Sequence, residues 1–122
     1  MTGALSDLNP ELLRVLSLIE KKVGFPLHVN DGLRPPDSNA ALVTLGLAVA
    51  DSAHLTGLAV DCKALTSSDR YRIVVAALGA GFERIGIGKT FVHLDIDPSK
   101  PQGVIWLYKA VETSKDSVPQ PL

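Results

Sequence analysis

The chain has 122 residues, enough for one compact domain with a single core and too few for two. A 46% hydrophobic fraction suits a folded globular protein, and 12 Lys and Arg against 13 Asp and Glu, with no basic cluster, exclude the electrostatic footprint of a nucleic-acid binder. No stretch approaches the roughly 20 apolar residues of a membrane span. The N-terminus lacks the cationic start and apolar run of a signal peptide, and the lone Cys62 excludes an internal disulfide. The expectation is a monomer made in the cytoplasm, with neither nucleic acid nor membrane as partner.

In chain order, residues 10–22 form the first strong helix. Asn9 suits its cap, Pro10 its first position, and Glu11 the positive end of its dipole. Leu12, Leu13, Leu16, Ile19 and Val23 recur at helical spacing and define a buried face, and Gly24 and Pro26 end the helix. Residues 25–30 alternate as a strand, with His28 as an ordinary strand histidine. Residues 31–56 make a long connection with Asp-Gly and Pro-Pro turn signals, in which Ser38 can cap a short helix over 39–45. A connection this long in a small domain usually carries function or moves.

Residues 57–62 read as the next strand. A second helix follows, capped by Ser67 or Ser68, with Tyr71, Val74, Val75 and Leu78 as its expected buried stripe. Residues 84–87 and 91–96 pair as a hairpin around Gly88-Lys89, and residues 103–108 add a last strand carrying Val104, Trp106 and Tyr108 on one side. The order of elements predicts an α+β fold, a small and mostly antiparallel sheet with flanking helices. It occupies residues 1–111, and a flexible polar tail follows over 112–122.

The chemistry concentrates in two stretches. Alternation along 91–97 puts His93, Asp95 and Asp97 on one face and Val92, Leu94 and Ile96 on the other. A row of polar groups on a central strand is unfavourable to bury unless something binds it. Asp61 alternates against Val60 and Cys62, behind the small residues Gly57 and Ala59, which leave room for a pocket. Cys62 is then a buried, inert thiol. Taken singly, each polar residue has an ordinary structural role. Together, His54, Asp61 and His93 offer two imidazoles and one carboxylate, a donor set that suits a catalytic zinc with a fourth position left for water.

The string Ser52-x-His54-x-x-Gly57-x-Ala59-x-Asp61, followed by Val92-His93-x-Asp95, resembles the zinc D-Ala-D-Ala peptidase family, whose fold is shared with hedgehog signalling domains. Upstream, Asp31-Gly32-Leu33-Arg34 and then Asn39 are similar to the family's Ser-Gly-Tyr-Arg…Asn segment. The likeness spans residues 27–108. It implies zinc held by His54, Asp61 and His93, Arg34 meeting a substrate carboxylate or developing oxyanion, and Ser52 binding substrate or holding its loop.

Many members place an acidic general base three positions before the last histidine, and here that position is Thr90. Asp95 is the candidate replacement, or else a partner that orients His93, and Glu83 is a third carboxylate within conceivable reach. The implied function is hydrolysis of peptidoglycan stem peptides, either as a D-Ala-D-Ala carboxypeptidase or as an endopeptidase cutting L-Ala–D-Glu. A phage or bacterial lytic enzyme acting on the cell wall or periplasm fits such a domain. The alternative is a zinc-containing module that binds wall peptides with catalysis weakened.

Overall fold

The computed structural model describes residues 1–32 and 53–108. The helix expected over 39–45, Arg34, Asn39 and Ser52, and the tail over 112–122 lie outside them. The elements are β1 (Thr2–Gly3), α1 (Pro10–Val23), β2 (His28–Asp31), a single 3-10 turn (Ala53–Thr56), β3 (Ala59–Lys63), α2 (Ser67–Gly79), β4 (Arg84–Ile87), β5 (Phe91–Asp95) and β6 (Val104–Leu107). The strands form one sheet in the order β1-β2-β3-β5-β4-β6. The β2–β3, β3–β5 and β4–β5 pairings are antiparallel, while the outer β1–β2 and β4–β6 pairings are parallel. This is the α+β architecture expected from the order of elements, and β5 is central.

Helix α1 forms where its capping chemistry says it should. The Asn9 side chain accepts a hydrogen bond from the Glu11 amide at 2.8 Å, and Lys21 and Lys22 sit in the last turn, where the helix dipole favours cations. Its buried face is Leu12, Val15, Leu16, Ile19 and Val23, with Leu13 only partly covered. These side chains join Val60, Cys62, Ile85, Val92 and Leu94 in the core. The alternation of β3 and β5 thus sends one set of residues under the helices and the other to the opposite face of the sheet.

Helix α2 keeps only Val74 of the expected stripe, partly buried against the core. Thr66, not Ser67 or Ser68, caps it by accepting from the Asp69 amide at 3.1 Å. Its buried residues are Ile73, Ala76 and Ala77, whereas Tyr71, Val75 and Leu78 are 58%, 50% and 51% exposed. The two alanines explain the rotation: small side chains let the helix approach its neighbours closely, while the bulkier stripe would hold it off.

Gly57 ties the two ends of the core together. Its φ is +73°, and a Cβ there would lie 2.7 Å from the Asp7 carbonyl oxygen. Its own carbonyl accepts from the Asn9 amide at 3.0 Å, so the entrance to α1 is fastened to the segment that carries His54 toward β3.

Truncation of α2 should report this packing. Ile73→Ala is expected to lower stability by about 2–5 kcal/mol, and Val75→Ala to stay within about 0.5 kcal/mol of the parent. Urea denaturation of the two variants measures both.

Candidate metal centre

The polar face of the sheet is assembled by strand register. Asp61 of β3 stands directly opposite His93 of β5, and Ala59 opposite Asp95. Directly paired residues of an antiparallel ladder project to the same side with Cβ atoms about 5 Å apart, so the pairing brings the Asp61 carboxylate to the His93 ring. His54 arrives from the 3-10 turn, which is held by a 3.0 Å bond from the Thr56 hydroxyl to the Ala53 carbonyl and a 3.1 Å bond from the Leu58 amide to the same oxygen. His54 and His93 are 2% and 5% exposed.

Around Asp61 the distances are short. His93 Nδ1 lies 3.0 Å and His54 Nε2 3.4 Å from the same oxygen, Asp61 Oδ1. The two rings meet edge to face with centroids 5.1 Å apart. One ligand atom from each of His54, Asp61 and His93 falls within 4.8 Å of the others.

The outer nitrogens are engaged too. His54 Nδ1–H donates to the Gly32 carbonyl at 2.9 Å, which leaves Nε2 facing Asp61. His93 Nε2–H donates to Asp95 Oδ2 at 2.8 Å, which leaves Nδ1 facing Asp61. Each imidazole therefore turns one nitrogen inward and has the other fixed by an acceptor, the arrangement metal-ligating histidines adopt. Asp31 of β2 pairs with Asp61 across a register shift that follows Val29. The donor set fits a divalent metal.

Electrostatics follow from the same contacts. Burial pushes the Asp61 carboxyl up, but the hydrogen bonds from His54 and His93 outweigh it and hold the group at about 2 against an ordinary 3.8. For His93, burial disfavours the charged ring, and the bonds to Asp61 and Asp95 more than compensate, so its pKa rises. Asp95 is lowered: burial opposes ionisation, and His93, the Asp97 amide and Arg84 together overcome it. Cys62, on the core side, is pushed up to about 12 by burial and by the Asp61 charge, and so remains an unreactive thiol.

The carboxylates proposed for proton transfer are placed differently. Asp95 is buried, with Oδ2 on His93 and Oδ1 accepting from Arg84 Nε at 2.7 Å and from the Asp97 amide at 3.1 Å. Glu83 is exposed just before β4, next to Arg84, whose side chain is on the polar face. Thr90 is exposed at the β4–β5 turn, where its carbonyl accepts from the Ala64 amide at 2.8 Å. Asp97 caps its own turn, accepting from the Ser99 amide at 2.9 Å and the Ser99 hydroxyl at 2.6 Å.

The aromatic side of the site has a specific cause. Gly86 pairs with His93 on one side and Trp106 on the other. A Cβ at Gly86 would sit 2.6 Å from Trp106 Nε1 and 2.7 Å from Tyr108 Cε2, so the bare glycine is what lets both rings lie over the sheet. Their centroids are 5.4 Å and 6.2 Å from that of His93. A glycine inside a strand is a signal of close approach, and it points to this wall. Arg84 and the Gly32 carbonyl join the site only through the fold, because nothing in a linear pattern marks a lone arginine or a backbone oxygen.

A buried centre of two histidines and one aspartate on the face of an α+β sheet is the kind of site that mononuclear metallohydrolases use. A family model described as Peptidase M15 matches residues 1–95, and the chain belongs to that peptidase family. Among solved structures it is similar to the Serratia marcescens L-Ala D-Glu endopeptidase ChiX, with a TM-score of 0.63 and 26% identity over 76% of this chain and 83% of that chain. No curated protein matches the sequence significantly. Among the described residues, no helix is long and apolar enough to cross a membrane.

The pKa shifts predict the pH behaviour of the metal-free protein. Asp61, depressed from 3.8 to about 2, contributes stability that is complete above about pH 4 and is lost as pH falls toward 2. His93, raised from 6.5, contributes stability below pH 6.5 that is lost as pH rises through its folded value. Urea midpoints of the metal-free protein should therefore be highest between about pH 4 and 6.5. Metal uptake must expel the His93 proton, so calorimetric titrations in buffers of different ionisation enthalpy should show proton release and an affinity that rises with pH.

Proposed function

We propose that this chain is a zinc-dependent peptidase that hydrolyses peptidoglycan stem peptides, of the endopeptidase type that cuts between L-alanine and D-glutamate. The observation that carries the reading is the convergence of His54, Asp61 and His93 within 4.8 Å in a chain of the M15 family. The choice of endopeptidase over D-Ala-D-Ala carboxypeptidase is supported by the likeness to ChiX.

In this reading His54 Nε2, an Asp61 oxygen and His93 Nδ1 hold the metal. When bound, zinc supplies Lewis acidity toward water and toward the scissile carbonyl. The chain's own groups do the rest. Gly32 and Asp95 fix the two rings, and Trp106 and Tyr108 wall the site on the His93 side and keep bulk water from it. Arg34 meets a substrate carboxylate and Ser52 binds substrate, roles that the family resemblance assigns to them.

With both of its oxygens engaged, Asp95 suits orientation of His93 better than proton transfer. The second reading, a wall-peptide binding module with catalysis weakened, is favoured by Thr90 at the position where many relatives carry an acid.

Mass spectrometry of stem tetrapeptides and pentapeptides incubated with the zinc-loaded protein separates these readings. The endopeptidase splits L-alanine from the remainder, a carboxypeptidase releases single D-alanine, and a binder leaves both peptides whole. His93→Ala and His54→Ala should reduce turnover to background with the circular dichroism spectrum intact; normal cutting by either would rule out the mechanism.

A further inference from the structure

We propose that Arg84 is a positioning residue of the metal centre, clamping Asp95 so that Asp95 holds the His93 ring with Nδ1 turned toward the metal. The inference rests on the reading of His54, Asp61 and His93 as metal ligands and extends it to a residue outside the ligand set.

Arg84 is buried, 9% exposed, at the start of β4. Because Ile85 pairs with Leu94, the antiparallel register puts Arg84 opposite Asp95. Its Nε donates to Asp95 Oδ1 at 2.7 Å, and its Nη1 donates to the Pro101 carbonyl at 2.7 Å. The guanidinium lies over the Trp106 ring, 4.9 Å from its centroid, and that ring in turn packs against His93 at 5.4 Å. The contacts close a circuit: His93 to Asp95, Asp95 to Arg84, Arg84 to Trp106, and Trp106 back to His93.

Each link has a geometric consequence. Without Arg84, Asp95 Oδ1 would keep only the longer bond from the Asp97 amide, at 3.1 Å. The planar donor at 2.7 Å from the neighbouring strand adds a second, charged hold on that oxygen and ties the carboxylate to β4. The guanidinium is itself fixed on three sides, by Asp95, by the Pro101 carbonyl and by the indole face, so its orientation is set before any metal arrives. Planarity and several diverging donors are what arginine offers and lysine does not.

The turn after β5 is shaped to deliver the Pro101 carbonyl. Asp97 caps it through Ser99, and the Gln102 side chain donates to the Asp97 and Lys100 carbonyls, each at 2.9 Å. This gives the segment 97–102 a role in the site although none of its side chains reaches the ligand cluster.

The test measures zinc affinity of metal-free protein by chelator competition, and the His93 ring tautomer by two-bond proton–nitrogen NMR of the metal-free protein at a pH where the ring is neutral. Arg84→Met should weaken zinc binding by about 10–100-fold, the range for loss of an outer-shell partner. Arg84→Lys should weaken it less, and both should replace the single His93 tautomer by a mixture. Arg84→Met alone leaves the Asp95 charge buried without its cation, at a cost to folding, so Asp95→Asn and Arg84→Met with Asp95→Asn are made alongside. That pair removes the charge while keeping an acceptor for His93. If Arg84 acts through Asp95, the double variant binds zinc no more weakly than the worse single variant.

Wild-type affinity and an unchanged tautomer in Arg84→Lys, or losses that simply add in the double variant, would overturn the proposal. If the parent protein takes up no zinc, the ligand assignment fails and this inference falls with it. If the parent binds zinc through His93 and the Arg84 variants do so equally well, the ligand assignment stands and only the role of Arg84 is lost.

Discussion

Everything on the polar face turns on one partly buried oxygen, Asp61 Oδ1, shared by two imidazoles at 3.0 Å and 3.4 Å. A carboxylate taken out of water needs positive charge or donors around it, and here the donors are side chains that also suit a divalent cation. The sheet provides this arrangement through register alone, since the pairing of Asp61 with His93 fixes the first contact and the 3-10 turn swings His54 in to make the second. The apolar residues interleaved with these, Val60, Cys62, Val92 and Leu94, are fully buried against the helices. The core thus holds the strands rigid behind the site, and a one-residue slip would exchange the two faces and destroy both.

Around this centre the contacts are arranged in layers. Asp61 and the two inward nitrogens form the candidate ligand group. The Gly32 carbonyl and Asp95 lock the outward nitrogens, and Arg84, the Pro101 carbonyl and Trp106 lock Asp95. No buried side-chain nitrogen or oxygen among the described residues lacks a hydrogen-bond partner. That completeness matters because a half-satisfied polar network in a dry site is unfavourable and imprecise. The M15 family and the likeness to an L-Ala D-Glu endopeptidase give the chemistry its setting.

The elements were legible where local chemistry dominates. Asn9, Pro10 and the apolar spacing of α1 specify a helix with almost no tertiary help, and the alternation of β5 specifies which residues face the core. In α2, Tyr71, Val75 and Leu78 have the right periodicity for burial and yet stay exposed. The choice between that stripe and the one bearing Ala76 and Ala77 depends on how close the partner surface comes. Similarly, β1 is two residues long, and only its pairing with β2 makes it a strand.

The amino-acid sequence by itself determined the donor set, because the residue types and spacing of His54, Asp61 and His93 are properties of the linear chain. It also determined the two-faced character of the strands, which follows from the period of an extended backbone. Only the tertiary structure decided what Asp95 does, since beside the local bonds from His93 and the Asp97 amide its Oδ1 is held by Arg84, 11 residues earlier on another strand. It also decided that Gly86 shapes the aromatic wall, because the space a missing side chain leaves has meaning only once Trp106 and Tyr108 have been folded over it.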